Sequence, residues 1–239
     1  MVEREEADYG VVPVENSLEG AVARTLDRFI EFKRSPIRIC GEIEQPIQHF
    51  LILQPNAKLE RIRIVYSHPQ ALGQCRRWLE KNLPLAARRE TASTAQAAEM
   101  LFLQEGLWPV EERAAIGSLE LAKQRKLKTF PIPIDRENRT RFLILSLEAP
   151  LKGSRNKTAL LFTLKDRPGA LHDALVPFKQ HGINLTKIES RPSKRKAWEY
   201  LFFIDLEGHE LEPKVQRVLK ALQKCTKEFQ VLGSYPVSS

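Results

Sequence analysis

Polar side chains follow short apolar runs of this sequence at the points where strands are expected to end. In open α/β sheets, ligands bind beyond the carboxyl ends of the strands, opposite helix N-termini. The free N–H groups at such helix starts suit a carboxylate or a phosphate. The pattern therefore predicts an anion site, although Ser, Thr and Asn are also the ordinary caps of helices. The segments concerned are Glu15-Asn16-Ser17, Ser67-His68-Pro69-Gln70, Ser93-Thr94 and Gly117-Ser118.

Two single residues could also take part in proton chemistry. His68 could act as a general base, but no acid partner is visible and a proline follows it, so a structural or substrate-positioning role is favoured. Thr140 lies between Arg139 and Arg141 at the start of an apolar strand. The segment could be a plain strand with solvated arginines, or a hydroxyl in a cleft beside a cation for a carboxylate. Composition leaves both interpretations open.

Several kinds of chemistry lack their usual motifs. The chain has no GxGxxG motif, P-loop, HExxH motif or paired carboxylates, so nucleotide binding, metal-dependent hydrolysis and glycoside hydrolysis are not indicated. The cysteines Cys40, Cys75 and Cys225 are far apart and form no CxxC pair. They are typical of free thiols in a reducing cytoplasm rather than of zinc ligands or disulfides. We expect neither a metal nor a cofactor.

The net charge of +8 comes from 38 Lys and Arg residues against 30 Asp and Glu residues, and these charges are scattered. No nucleic-acid-binding motif accompanies them, so we expect the positive charge to attract a small anionic substrate. The densest basic run, Lys194-Arg195-Lys196, is predicted to be a hairpin tip. The polar N-terminal sequence is no signal peptide, and no apolar run is long enough to span a membrane. We therefore expect a cytoplasmic protein without nucleic-acid or membrane partners.

The order of strand-like and helix-like segments divides the chain in two. Over residues 1–150 these segments alternate, which predicts one or two mainly parallel sheets. The polar segment 148–157, with Pro150 and Gly153, is predicted to be a linker. The rest has a βαββαβ, ferredoxin-like order, whose open sheet edge could pair with a second copy. Its predicted elements are strands 158–164, 183–190, 197–205 and 229–233, and helices 170–180 and 213–224.

Taken in order, the motifs of the chain resemble those of one enzyme family. GVVPVENSLEGAVARTLD, YSHPQALGQCRRWL, STAQAA, AAIGS and NRTRFLIL are similar to prephenate dehydratase over residues 1–150. RPGAL, ESRP and the ending VLGSYP resemble the ACT regulatory domain of such enzymes over residues 156–236. The resemblance covers almost the whole chain. It implies an α/β fold in which a two-lobed catalytic module, like a type II periplasmic binding protein with its site between the lobes, precedes a ferredoxin-like ACT domain.

The resemblance also implies a reaction. Prephenate would lose carbon dioxide and its ring hydroxyl to give phenylpyruvate, in phenylalanine biosynthesis, and aromatisation would drive the step without a cofactor. Thr140, in the TRF motif, would be the catalytic acid that helps the hydroxyl to leave. For this, neighbouring groups would have to polarise the threonine hydroxyl. The residues expected to bind substrate are Asn16, Ser17, Ser67, His68, Gln74, Ser93, Thr94 and Arg141.

For the ACT part, the resemblance implies feedback inhibition by phenylalanine. The effector would bind at an interface between two ACT domains, so a homodimer or homotetramer is expected. A glycine at the start of a helix would let the backbone approach an amino-acid ligand. The expected allosteric residues are Gly169, Ala170, Leu171, Glu189, Ser190, Arg191 and Pro192.

The chain departs from the family pattern at its start. Family members have a glycine-rich motif and further elements of the first lobe upstream of GVVPVENS, and these are not found here. The catalytic module is therefore expected to be partial: a fragment, a module completed by a neighbouring chain, or an inactive protein that keeps its phenylalanine sensor. Intact polar residues such as Thr140 and Gln74 favour an enzyme. Arogenate instead of prephenate as substrate remains open.

Overall fold

The computed structural model describes residues 1–31, 35–103, 106–133, 138–193 and 199–237. These form two compact units, a first unit of residues 1–45 and 139–239 and a second unit of residues 46–138. The strands are β1 Gly10–Asn16, β2 Gly20–Ala21, β3 Arg38–Pro46, β4 His49–Leu53, β5 Ile64–Ser67, β6 Ala87–Glu90, β7 Arg113–Gly117, β8 Lys128–Ile132, β9 Arg139–Ser146, β10 Asn156–Leu164, β11 Leu185–Pro192, β12 Tyr200–Glu207 and β13 Thr226–Pro236. The α-helices are α1 Ala23–Glu31, α2 Pro69–Gln74, α3 Arg76–Asn82, α4 Thr94–Glu99, α5 Leu119–Gln124, α6 Ala170–Gln180 and α7 Pro213–Cys225.

The first unit contains a four-stranded sheet in the order β2-β1-β9-β3. Strands β1 and β9 are antiparallel, with Asn16 opposite Thr140 and Glu15 opposite Arg141. Because successive side chains on a strand point to opposite faces, this ladder carries Asn16 and Thr140 on one face and Glu15 and Arg141 on the other. The ladder therefore separates two polar sites that are adjacent in the sequence.

The C-terminal part of the first unit has the βαββαβ order predicted from the sequence, with an antiparallel sheet in the order β11-β12-β10-β13. One buried cluster joins this sheet to β1, α1, β3 and β9. Gly233 of β13 lies against the backbone of Ile39 in β3, where a Cβ atom would overlap the carbonyl oxygen. The two sheets of the first unit thus share an apolar core, which comprises Val14, Leu26, Phe29, Ile30, Ile39, Leu143, Ala159, Leu161, Leu201, Phe203, Leu232 and Tyr235.

The second unit contains a five-stranded sheet in the order β6-β5-β7-β4-β8. Strand β5 runs parallel to β6 and β7, whereas β4 runs antiparallel to β7 and β8. The prediction of mainly parallel sheets is therefore wrong for both sheets of residues 1–150. It failed because three strands, β3, β6 and β8, gave no strong apolar signal, and every residue of β6 is exposed.

Several predicted helices are shorter than their sequence patterns suggested. The segment SHPQALGQCRRWLEKN divides at Cys75 into α2 and α3, and α4 ends at Glu99. The predicted hairpin tip Lys194-Arg195-Lys196 lies outside the described residues. Within the described ranges, no helix is both long enough and apolar enough to cross a membrane.

Candidate functional site

Thr140 and Asn16 are joined by a hydrogen bond across the β1–β9 ladder. The Asn16 amide donates from Nδ2 to Thr140 Oγ1 at 3.0 Å, although the residues are 124 positions apart. Asn16 Oδ1 accepts from the backbone N–H groups of Leu18 and Glu19 at 3.0 and 3.2 Å, which fixes the direction of the amide. A hydroxyl has one proton and two lone pairs. Since Thr140 accepts from Asn16, the hydroxyl proton of Thr140 is not used in this bond.

Ser17 supports this pair through the backbone. Its N–H donates to the Arg139 carbonyl at 2.9 Å, and its Oγ accepts from the Arg139 N–H at 2.9 Å. These two bonds extend the β1–β9 ladder past Thr140. Ser17 thus holds the backbone next to Thr140.

In the second unit, Gln74 is held by two buried side chains that the sequence analysis missed. Gln74 Oε1 accepts from Asn138 Nδ2 at 2.9 Å and lies 2.7 Å from His49 Nε2. Because the oxygen accepts from both, the His49 proton is on Nε2. The amide nitrogen of Gln74 therefore points away from His49 and Asn138. Asn138 lies two residues before Thr140, so the sequence could have indicated it as a site residue. His49 begins an apolar strand, and nothing in the sequence around it indicates a role in a polar site.

The polar residues at helix starts act as caps. Acceptor atoms of His68, Ser93 and Ser118 bind backbone N–H groups of their own helices at 3.3, 3.0 and 3.2 Å. Each of these helices has only six residues. The ordinary capping role accounts for all three side chains, so the helix starts give no separate support for the anion site predicted there. Thr94 is the half-buried first residue of α4.

Ser67 is fully buried at the end of β5. Its hydroxyl donates to the Ile116 carbonyl at 2.9 Å and so ties β5 to β7. A side chain in this position stabilises the sheet and does not reach a ligand directly. In this structure Ser67 therefore positions the segment that leads to His68 and Gln74.

Arg141 does not lie beside Thr140 as a substrate cation, contrary to the sequence-based prediction. It points to the opposite face of β9, where only 9 % of the residue is exposed. Its guanidinium donates to Glu42 Oε2 at 2.7 Å, to Asp205 Oδ2 at 2.6 Å and to the Tyr235 hydroxyl at 2.9 Å. Arg141 is thus neutralised by protein carboxylates and is a structural residue.

The surroundings of Arg141 form a largely buried network of alternating charges. Lys157 Nζ lies 2.7 Å from Glu42 Oε1, and Lys187 Nζ lies 2.9 Å from Glu15 Oε2. Burial opposes the charge on Arg141, but attraction to the neighbouring acidic groups outweighs it and raises the pKa of the guanidinium. Burial also raises the pKa of Tyr235, which keeps that phenol protonated. We call this set the Arg141 network: Glu15, Glu42, Arg141, Lys157, Lys187, Asp205 and Tyr235.

A cavity of about 330 Å³ lies at the start of α6 in the C-terminal part of the first unit. Ala170 and Leu171 line it, and Gly169 caps the helix with a φ of 76°, a left-handed conformation that favours glycine. Both charged and apolar side chains line the cavity, and two of the charged ones, Lys227 and Glu199, pair with each other at 2.6 Å. The other lining residues are Leu164, Lys165, Asp166, Arg167, Glu199, Tyr200, Phe202 and Lys227.

The second predicted effector motif, Glu189-Ser190-Arg191-Pro192, lies elsewhere, on β11, and does not line this cavity. Strand β11 is the last strand at its edge of the sheet. Arg191 Nη2 lies 3.3 Å from Asp27 Oδ1 of α1. Glu189 is on the same half-buried face, whereas Ser190 and Pro192 are exposed. The structure of one chain therefore does not bring the two predicted effector motifs together.

Cysteine and metal chemistry have no visible site in the described part of the chain. Burial raises the pKa of the Cys75 thiol to about 12, so it carries almost no thiolate at neutral pH. Burial also raises the pKa of Cys40 and Cys225. No group of three His, Cys, Asp or Glu side chains among the described residues is arranged to hold a metal ion.

The fold and the polar clusters define an α/β protein whose C-terminal domain has the βαββαβ order with an antiparallel sheet. A family model for prephenate dehydratase matches residues 1–150, and a model for the ACT domain matches residues 158–223. The chain belongs to the prephenate dehydratase family.

Known relatives agree with this assignment. A bifunctional chorismate mutase/prephenate dehydratase from Aquifex aeolicus is 48 % identical over 98 % of this chain and 63 % of its own length. A prephenate dehydratase from Methanocaldococcus jannaschii is 40 % identical over 95 % of this chain and 81 % of its own length. The chain spans 61 to 64 % of the length of the first four curated relatives that it matches.

A solved structure has the same fold. The crystal structure of a prephenate dehydratase from Arthrobacter aurescens in complex with L-Phe superimposes with a TM-score of 0.87 at 34 % identity. The superposition covers 98 % of this chain and 76 % of that chain. The predicted fold class, an α/β protein with a C-terminal ACT domain, is confirmed.

Proposed function

We propose that this protein converts prephenate to phenylpyruvate by decarboxylative dehydration. The observation that carries the proposal is the hydrogen bond from the Asn16 amide to Thr140 Oγ1. A threonine hydroxyl is a weak acid, so it needs a donor that stabilises negative charge on its oxygen as its proton is shared. Asn16 is such a donor, and its orientation is fixed by two backbone N–H groups.

The proposed reaction needs one proton and no external electrons. The bond between the ring and its carboxylate breaks to release carbon dioxide, and its electron pair enters the ring. The C–O bond of the ring hydroxyl breaks at the opposite carbon, and the ring becomes aromatic. Thr140 passes its proton to the departing oxygen, which leaves as water, and solvent then reprotonates Thr140. Thr140 stabilises the charge that develops on the departing oxygen, and Asn16 stabilises the charge left on Thr140 Oγ1.

The remaining predicted residues serve binding and support in this proposal. Gln74, with its amide oriented by His49 and Asn138, is the donor that we assign to a substrate carboxylate. The net charge of +8 favours the approach of a dianion. Ser17 holds the backbone beside Thr140, and Ser67 and His68 hold the segment that leads to Gln74. Ser93, which caps α4, and Thr94 at the start of α4 are also assigned to substrate binding.

An assay of phenylpyruvate formation tests this function. We expect the purified chain to release phenylpyruvate from prephenate, and to use arogenate more slowly. Faster turnover of arogenate would change the assigned substrate. No turnover of either compound, in a folded protein that still binds phenylalanine, would instead identify an inactive phenylalanine sensor and overturn the proposed activity.

We also assign phenylalanine as an effector of the ACT domain. The cavity beside Ala170 and Leu171 suits an amino acid, and the motif on β11 lies at an open sheet edge where a second copy of the chain would supply it. The proposed assembly is therefore a homodimer or homotetramer. The free cysteines and the absence of a disulfide in the described structure are compatible with the cytoplasmic location that we propose.

The effector site makes a testable prediction at Gly169. We expect Gly169→Leu to weaken phenylalanine binding at least about tenfold, because a side chain there is strained and Gly169 directly precedes Ala170 and Leu171, which line the cavity. Isothermal titration calorimetry measures the effect. Gly182→Leu is the matched control, since Gly182 also has a left-handed φ, of 61°, and a Cβ atom added there would meet no neighbour within 4 Å. Equal weakening in both variants would show that strain alone is responsible.

A further inference from the structure

The Arg141 network connects the strand of the second effector motif to the β1–β9 ladder. Lys187 of β11 lies 2.9 Å from Glu15 Oε2, and the same oxygen lies 3.8 Å from Arg141 Nη1. Glu15 immediately precedes Asn16, and Arg141 immediately follows Thr140. A continuous chain of charges thus runs from β11 to the two residues beside the proposed catalytic pair.

The strand register links this series of charges directly to the pair Asn16 and Thr140. Glu15 pairs with Arg141, and the next pair on the ladder is Asn16 with Thr140. A displacement of the first pair must therefore move the second, because one residue step separates them along both strands. The two pairs project from opposite faces, so the network acts on Thr140 through the backbone and leaves its hydroxyl accessible to a substrate.

Strand β11 carries both the second effector motif and the first cation of the connection, Lys187. Lys187, Glu189 and Arg191 alternate with exposed residues and share the half-buried face of this strand. The Lys187 side chain is only 8 % exposed, and Lys187 lies two residues before the effector motif at Glu189. Strand β11 pairs regularly with β12 from Lys187 to Pro192, so a ligand that shifts β11 at Glu189 also shifts Lys187.

We propose that Lys187, Glu15 and Arg141 form a charge bridge that couples phenylalanine binding to the position of Thr140. These three are positioning residues, and the inference rests on the function proposed above. Ion pairs suit this task because their energy depends strongly on distance. The two cations of the bridge are buried, with side-chain exposures of 8 % for Lys187 and 10 % for Arg141, whereas Glu15 is 38 % exposed. The charges of the network balance, with three cations and three carboxylates. Removal of the Lys187 charge breaks the ion pair between β11 and Glu15, while Glu15 keeps its contact with Arg141. The substitution therefore uncouples β11 from the β1–β9 ladder.

Lys187→Met tests the bridge, because methionine keeps much of the side chain and removes the charge. We expect the variant to bind phenylalanine within about threefold of the wild-type affinity, measured by calorimetry. Inhibition of phenylpyruvate formation by saturating phenylalanine should fall to less than about twofold, from the 5- to 150-fold range typical of coupled sites. Lys187→Arg should retain inhibition. Lys152→Met is the control, because Lys152 pairs with Glu212 at 3.2 Å outside the network.

A second readout does not depend on turnover. Hydrogen exchange by mass spectrometry should show that phenylalanine changes the protection of segments 10–16 and 139–146 in the wild type and in Lys152→Met. In Lys187→Met the same segments should not respond, although phenylalanine still binds. A wild-type response in Lys187→Met, in either measurement, overturns the bridge. So does a wild type that binds no phenylalanine. A wild type without turnover but with this exchange pattern refutes only the proposed activity.

Discussion

Thr140→Ala is expected to lower the rate of phenylpyruvate formation by about a hundredfold or more. Positioned acids typically contribute 10²- to 10⁴-fold, and alanine removes both the proton and the acceptor of the Asn16 amide. Steady-state kinetics with prephenate measures the loss, which should appear mainly in kcat. Phenylalanine binding, followed by calorimetry, should be unchanged because Thr140 does not line the cavity beside Leu171 and its side chain projects from the face opposite the Arg141 network.

Thr140→Ser and Thr140→Val separate the hydroxyl from the shape of the side chain. Serine keeps the hydroxyl and should retain much of the activity, whereas valine keeps the volume and should be as slow as alanine. Asn16→Ala should reduce kcat less than Thr140→Ala, since it removes a supporting donor and not the acid. Turnover like the wild type in Thr140→Val would refute the assignment of Thr140 as the acid.

Arg141→Met is expected to destabilise the protein by about 3–5 kcal/mol. The substitution leaves Glu42 and Asp205 buried without their main cation, and an uncompensated buried charge has a cost of this size. Urea unfolding followed by circular dichroism measures the free energy of unfolding. Arg139→Met is the control: the Arg139 side chain is 46 % exposed, its carboxylate contact with Glu44 is 3.9 Å long, and we expect a loss below about 1 kcal/mol.

A double variant distinguishes two possible causes of the instability. If unpaired carboxylates cause the instability, adding Asp205→Asn to Arg141→Met should recover part of the loss. If the cause is only poor packing of methionine, the double variant should be no more stable than Arg141→Met. Equal stability of Arg139→Met and Arg141→Met would contradict the role of the buried network altogether.

The C-terminal domain was easier to predict than the rest because its elements have clear apolar patterns. Helix α6 spans residues 170–180, as the sequence predicted. In the catalytic part, exposed and polar strands such as β6, Ala87–Glu90, have no alternation to reveal them. Short-range patterns also say nothing about strand order, so the antiparallel pairs of β4 could not be anticipated.

The candidate site was also only partly predictable, because its contacts depend on long-range strand pairing. The polar character of Asn16 and Thr140 was visible in the sequence, but their contact depends on the pairing of β1 with β9 across 124 positions. The prediction for Arg141 failed for a related reason. Adjacent residues of a strand face opposite sides, and the acidic partners of Arg141 come from β3 and β12, far away in the sequence.

The apolar core that joins the two sheets of the first unit has a consequence for protein engineering. Leu161 and Phe203 of the ACT domain are buried together with Val14 and Leu143 of the catalytic part. An ACT domain transplanted to another enzyme would therefore carry an apolar face that needs a new complementary surface. The ACT domain of this protein is therefore not an independent module: inherited sequence changes on either side of that core must be tolerated by both sheets at once.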